Sequence, residues 1–97
     1  MNVISPRTLR AFWQRHADAE RPLLDWYNWA RRAEWHTSQD IKAEHPEASF
    51  LPGDRVVFNI KGNAYRLVVH VRYSTRRVYV RFVGTHAEYD RIDATRV

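Results

Sequence analysis

An α+β domain is the fold class this sequence predicts, with N-terminal helices packed on one face of a small, mainly antiparallel sheet. Three observations point there. Up to about residue 48, apolar residues recur at helical spacing. From Arg55 onward they alternate with polar ones at period two. The alternating runs are joined by Lys61-Gly62-Asn63 and Ser74-Thr75-Arg76, short enough for hairpin turns. The expected order is β-α-α-(α)-β-β-β within a single domain, since 97 residues supply one core and no linker or internal repeat divides them.

Each element has its own signal. Asn2-Val3-Ile4 is a short apolar run that reads as a strand. Ser5-Pro6 reads as an N-cap followed by proline at the first helical position, and Leu9, Phe12, Trp13 and His16 follow at helical spacing. A second helix starts near Asp18-Ala19-Glu20, with Pro22 in its first turn, where the missing N–H bonds nothing. Leu23, Trp26, Tyr27, Ala30 and Ala33 form its apolar stripe. Thr37 and Ser38 cap a third, short helix through Glu44, with Asp40 placed to complete a capping box, and Pro46 ends it. Leu51-Pro52-Gly53-Asp54 reads as a turn. Strands are expected over Arg55–Ile60, Ala64–Tyr73 and Arg77–Val83. Gly84-Thr85 then breaks the alternation, and Thr85 caps a last helical turn with Glu88 as its box partner.

Composition excludes several kinds of chemistry. With no cysteine there are no disulfides, thiolate zinc sites, iron–sulfur clusters or Cys nucleophile. His36 and His45 lack a carboxylate pattern typical of a metal site, so no metal or other cofactor is expected. His16, His36 and His45 read as structural or surface residues. Gly62 is an isolated hairpin glycine rather than part of a phosphate loop, and no serine sits in a nucleophile elbow. No apolar run reaches membrane-spanning length and Met1–Ile4 is too short for a signal peptide, so a soluble cytoplasmic protein without membrane contact is expected.

What charge there is points to an anionic partner. Residues 1–54 carry seven Arg/Lys against eight Asp/Glu, whereas residues 55–97 carry nine against three. All but Lys42 and Lys61 of the sixteen cations are arginines, whose planar fork suits bidentate phosphate contacts. Side-chain alternation divides the strands into two faces. The apolar face is expected to carry Val56, Phe58, Ile60, Tyr65, Leu67, Val69, Val71, Val78, Val80 and Phe82. The other would carry Arg55, Val57, Asn59, Arg66, Val68, His70, Arg72, Arg77, Tyr79, Arg81 and Val83. A solvated antiparallel face usually mixes its charges, because like charges opposite one another repel. Five arginines without an acid therefore read as an anion-binding face, and nucleic acid fits a domain of pI near 10.1.

Arg66 and Arg81 point to this face from neighbouring strands, and His86, Tyr89 and Asp90 follow on the turn after the last strand. Metal-free RNA cleavage needs such groups: a base for the ribose 2′-hydroxyl, cations for the dianionic phosphorane and an acid for the departing 5′-oxygen. Histidine is suited to proton transfer near neutral pH, and tyrosine to stacking or proton positioning. Asn59, Lys61, His70, Arg72, Arg77, Tyr79 and Asp90 are the candidates for RNA contact.

Two stretches carry a resemblance. Phe58-Asn59-Ile60-Lys61-Gly62-Asn63-Ala64-Tyr65-Arg66-Leu67 and Arg81-Phe82-Val83-Gly84-Thr85-His86-Ala87-Glu88-Tyr89-Asp90 resemble the signature stretches of the HigB family of type II toxin–antitoxin toxins. Val3-Ile4-Ser5 and the tryptophan-rich second helix are similar too. The resemblance implies a RelE-like fold and an mRNA interferase, usually acting on translated mRNA at the ribosome and leaving 2′,3′-cyclic phosphate and 5′-hydroxyl ends. It implies a HigA-type antitoxin as partner, with operator DNA reached only through the toxin–antitoxin complex. By position it makes Arg66 and Arg81 the strand arginines that stabilise the phosphorane or hold flanking phosphates. His86 becomes the general acid, and Tyr89 the base, positioner or stacking platform. The alternative is a non-catalytic module that binds RNA or the ribosome and blocks translation.

Overall fold

The computed structural model describes residues 1–97. Its elements run β1 (Asn2–Ile4), α1 (Arg7–Arg15), a 3₁₀ turn (Ala17–Ala19), α2 (Glu20–Arg32), α3 (Ser38–Glu44), β2 (Ser49–Leu51), β3 (Arg55–Ile60), β4 (Tyr65–Arg72), β5 (Arg77–Thr85) and α4 (His86–Tyr89). The five strands form one sheet in the order β1-β5-β4-β3-β2. β1 lies parallel to β5 and every other pairing is antiparallel. The expected α+β architecture stands.

Helices and sheet meet through one apolar core. Leu9 and Phe12 of α1, Leu23, Trp26 and Ala30 of α2, Trp35 and Ile41 pack on Val56, Phe58, Leu67, Val69, Val71 and Val78. Trp26 and Trp29 both meet the Phe58 ring, at 5.5 and 6.0 Å between centroids. A second, smaller cluster lies on the opposite face. Val57 and Val68 are covered there by Ala94, with Leu51, Phe82, Tyr89, Ile92 and Val97 around them. The chain after α4 thus crosses the face that alternation alone marks as polar and open.

Several expectations need correction. Ser5 does not cap α1: it takes φ 66°, and its carbonyl accepts from the Thr8 N–H at 3.1 Å. This kink turns the chain out of β1 and into the helix. Ser49–Leu51 is an edge strand rather than the lead-in to a turn, pairing with Arg55–Val57 around the left-handed Gly53 and Asp54. β5 does not stop at Gly84 but continues to Thr85, because Tyr65 still pairs with Thr85.

The largest correction is a bulge. Val69 pairs with Val80 and Val68 with Phe82, so Arg81 is an extra residue without an opposite number. Beyond it the faces exchange. Phe82, expected in the main core, joins the Val57–Val68 cluster, and Val83, expected on the polar face, packs against the main core.

Candidate functional site

Register sorts the polar face into rows. Asn59, Arg66 and Gly84 form one, and Val57, Val68 and Phe82 the next. Arg55, His70 and Tyr79 follow, and Arg72 opposite Arg77 closes the face. The middle, apolar row lies under Ala94. The face is therefore two polar patches with an apolar divider between them, not one continuous cationic surface.

The first patch gathers Arg66, Tyr89, His86 and Asp90. Arg66 sits with its guanidinium carbon 5.9 Å from the centre of the Tyr89 ring. The Tyr89 ring in turn rests near Phe82, 6.5 Å between centroids. Arg66 Nη1 is shut off from solvent and has no hydrogen-bond partner in the protein, a buried donor left unpaired. The space beside it depends on Gly84. A Cβ at Gly84 would come within 2.5 Å of Phe82 Cζ, so only glycine lets the ring lie flat here.

The turn carrying the histidine is locked in place by its cap. Thr85 Oγ1 accepts from the Glu88 N–H at 3.1 Å, and Glu88 Oε1 accepts from the Thr85 N–H at 2.8 Å, the box expected from the sequence. The Thr85 N–H, with smaller help from other groups including Arg15 and His16, holds the Glu88 carboxyl below its usual range. The His86 N–H also donates to the Ala64 carbonyl at 3.2 Å, pinning the start of α4 to the β3–β4 turn. His86 Nδ1 lies 3.3 Å from Asp90 Oδ2, with both side chains about half exposed. That contact orients the ring and leaves Nε2 free for proton transfer.

The second patch holds Arg81. Its guanidinium carbon lies 5.4 Å from the centre of the Tyr79 ring, and Tyr79 faces His70 at 6.1 Å. The bulge thus gives Arg66 and Arg81, expected as a pair, different aromatic supports on opposite sides of the divider. Burial, then the charges of Arg55, Arg81 and Arg72, lower the His70 pKa, with Asp54 opposing them. Arg55 is already engaged: its Nε and Nη2 donate to the Val97 carbonyl oxygen at 3.1 and 2.9 Å.

Lys61 stands apart from both patches. Its ammonium lies 2.6 Å from Asp18 Oδ2, and the Tyr65 hydroxyl donates to Asp18 Oδ1. The β3–β4 turn is thereby tied to the 3₁₀ turn between α1 and α2. The sequence marks Asp18 only as the start of the second helix, since its partners Lys61 and Tyr65 are remote in the chain. It does not reveal the Phe82–Gly84 packing or the cover formed by Ala94.

The chain is similar to proteins of one known family. Residues 19–92 match the HigB toxin family, described as the RelE-like toxic component of a toxin–antitoxin system. The chain is 28% identical over 92 residues to a protein of Escherichia coli strain K12 named mRNA interferase toxin HigB. The aligned region covers 93% of this chain and 88% of that one. Proteins of Escherichia coli O157:H7 and Shigella flexneri, each named mRNA interferase HigB, match to the same extent. No helix is long and apolar enough to cross a membrane. With the α+β sheet, the capped terminal turn and a family match over most of its length, the chain belongs to the HigB toxin family, the RelE-like toxic components of toxin–antitoxin systems.

Proposed function

We propose that this toxin is an mRNA interferase that cleaves translated mRNA at the ribosome without a metal ion, through the patch formed by Arg66, Tyr89, His86 and Asp90. The observation that carries the reading is that Tyr89, over whose ring Arg66 lies, shares the short α4 turn with a histidine whose Nδ1 faces a carboxylate. The ribose 2′-oxygen attacks the adjacent phosphorus and expels the 5′-oxygen, leaving a 2′,3′-cyclic phosphate and a 5′-hydroxyl. Arg66 stabilises the negative charge that builds on the phosphorane oxygens, an effect worth about 10²–10³ in rate for one good donor. His86 Nε2 gives its proton to the departing 5′-oxygen, with Asp90 holding the ring in orientation through Nδ1. The Tyr89 hydroxyl relays the 2′-hydroxyl proton to water, while its ring supports Arg66. Asn59, in register beside Arg66, contacts the flanking strand, whereas Lys61 is held by Asp18 and takes no part. The ribosome holds the substrate in line, supplying the positioning that so small an open site cannot.

Activity of this kind requires control. A HigA-type antitoxin encoded with the toxin is the proposed partner, and operator DNA is reached through that complex alone. The cytoplasm, where translated mRNA is found, is the proposed location. The test is to treat a translated message with the protein in the presence of EDTA at a concentration that spares the ribosome. The new 5′ ends should accept phosphate from polynucleotide kinase without prior phosphatase. Ends that already carry phosphate, or translation blocked with the message intact, would instead favour a different hydrolysis or a non-catalytic RNA-binding protein.

A further inference from the structure

The proposed reaction uses one end of the polar face and leaves the other without a role. At that end Arg72 stands directly opposite Arg77, where like charges destabilise a sheet. Arg81 is held over Tyr79, next to His70. Salt bridges in this protein involve Arg21, His45, Lys61 and His86 as the basic partners, so none of Arg72, Arg77 and Arg81 has an acidic partner. None makes a side-chain hydrogen bond either. Asp54 is the one acid whose charge is felt at His70, and it pairs with no arginine. His70 Nδ1 is itself shut off from solvent and unpartnered. Packing does not require these cations: the neighbouring apolar row is already sealed by Ala94, and Arg55 alone is engaged by the tail.

We propose that Arg72, Arg77 and Arg81, gathered around His70 and Tyr79, form a second subsite that binds an RNA phosphate away from the reacting one. Arg66 and His70 are four residues apart on β4, which at strand spacing is about 13 Å. RNA is therefore gripped at two points with the Val57–Val68–Phe82 divider between them. Guanidinium forks match phosphate oxygens, and the Tyr79 ring fixes one of those forks in advance. A bound phosphate also removes the repulsion between Arg72 and Arg77. This inference rests on the cleavage reading only in that cleavage brings RNA to the face. The phosphate can come from the cleaved strand or from ribosomal RNA, and the chemistry of the subsite is the same for both.

The test is binding of an oligonucleotide whose riboses are all 2′-O-methylated, so that cleavage cannot occur. Arg72→Gln/Arg77→Gln is compared with wild type and with Arg10→Gln/Arg32→Gln, which removes equal charge from exposed helix positions. Each variant is first checked for wild-type unfolding behaviour. The subsite pair is expected to lose about tenfold in affinity. Its plot of log K against log salt should flatten by about 0.7 for each phosphate released. The helix pair should change neither. A selective loss on the oligonucleotide assigns the phosphate to the cleaved strand. A selective loss seen only in cosedimentation with ribosomes assigns it to ribosomal RNA. Equal losses for both pairs, or no loss in either assay, overturn the subsite. Because the probe is uncleavable, a failure of the nuclease reading shows up only in end analysis and leaves this result standing.

Discussion

Gly84 of β5 stands in register opposite Arg66 of β4, and the Phe82 ring lies over the place where a Gly84 side chain would begin. The glycine is required for space rather than for backbone freedom. Gly84→Ala would set a methyl group against Phe82 Cζ, forcing the ring outward and disturbing the Tyr89 ring that supports Arg66. Overpacking of this kind costs about 1–3 kcal/mol. Urea unfolding should show that loss, accompanied by reduced cleavage. Unchanged stability would mean that Phe82 is free to move.

The role proposed for Arg66 is in chemistry rather than in folding. Its Nη1 makes no hydrogen bond in the protein, and its main contact is the face of Tyr89. Arg66→Gln should lower the cleavage rate by about 10²–10³ and shift unfolding by no more than about 1 kcal/mol. A stability loss as large as the activity loss would make Arg66 a structural residue.

Asp18 gives the fold a pH signature at both ends of the scale. Its hydrogen bonds, first with Lys61 and then with Tyr65, hold its carboxyl below the usual range, and the same bond pushes the Tyr65 hydroxyl up. A depressed carboxyl stabilises the fold above its ordinary pKa, and that contribution is lost as pH falls through the lowered value. A raised tyrosine stabilises below its ordinary pKa, and loses its contribution as pH rises through the higher value. The difference in Tm between wild type and Asp18→Asn should thus be greatest near neutrality and shrink toward both extremes. A difference independent of pH would show that the contact adds packing but no charge-linked stability.

The proposed second subsite predicts that RNA binding depends on pH through His70. Burial, followed by Arg55, Arg81 and Arg72, lowers its pKa, while Asp54 acts in the opposite direction. As pH falls below about 6.5, the unfolded chain takes up a proton that the folded one resists, so stability declines through that window. A phosphate on the neighbouring arginines reverses the local field and favours the charged ring. RNA affinity should accordingly rise as pH falls toward the lowered His70 value of the free protein, and His70→Gln should flatten that rise. Parallel profiles for the two proteins would place the phosphate elsewhere.

Much of this was legible because short-range patterns dominate a small domain. The stripe Leu23-Trp26-Ala30 and the alternation from Val56 to Val71 identified the two layers, and both reappear in the core. The Thr85–Glu88 cap was readable because its partners are three residues apart. Features that depend on distant partners were not. Asp18 meets Lys61 and Tyr65 across more than forty residues. Ala94 reaches Val57 and Val68 only once the chain has folded back. The bulge did leave a trace, since Phe82 and Val83 are consecutive apolar residues after strict alternation. That break sends Phe82 to the polar face and gives Arg66 and Arg81 separate supports.

The most direct test of the account is end-mapping of one translated message in a cell-free system, with wild type, His86→Ala and Arg66→Gln run side by side. New 5′-hydroxyl ends are expected from wild type, absent with His86→Ala and strongly reduced with Arg66→Gln, while all three proteins remain folded. Equal cleavage by wild type and His86→Ala, or stalled translation with an intact message for all three, would contradict a reaction centre at Arg66, Tyr89 and His86.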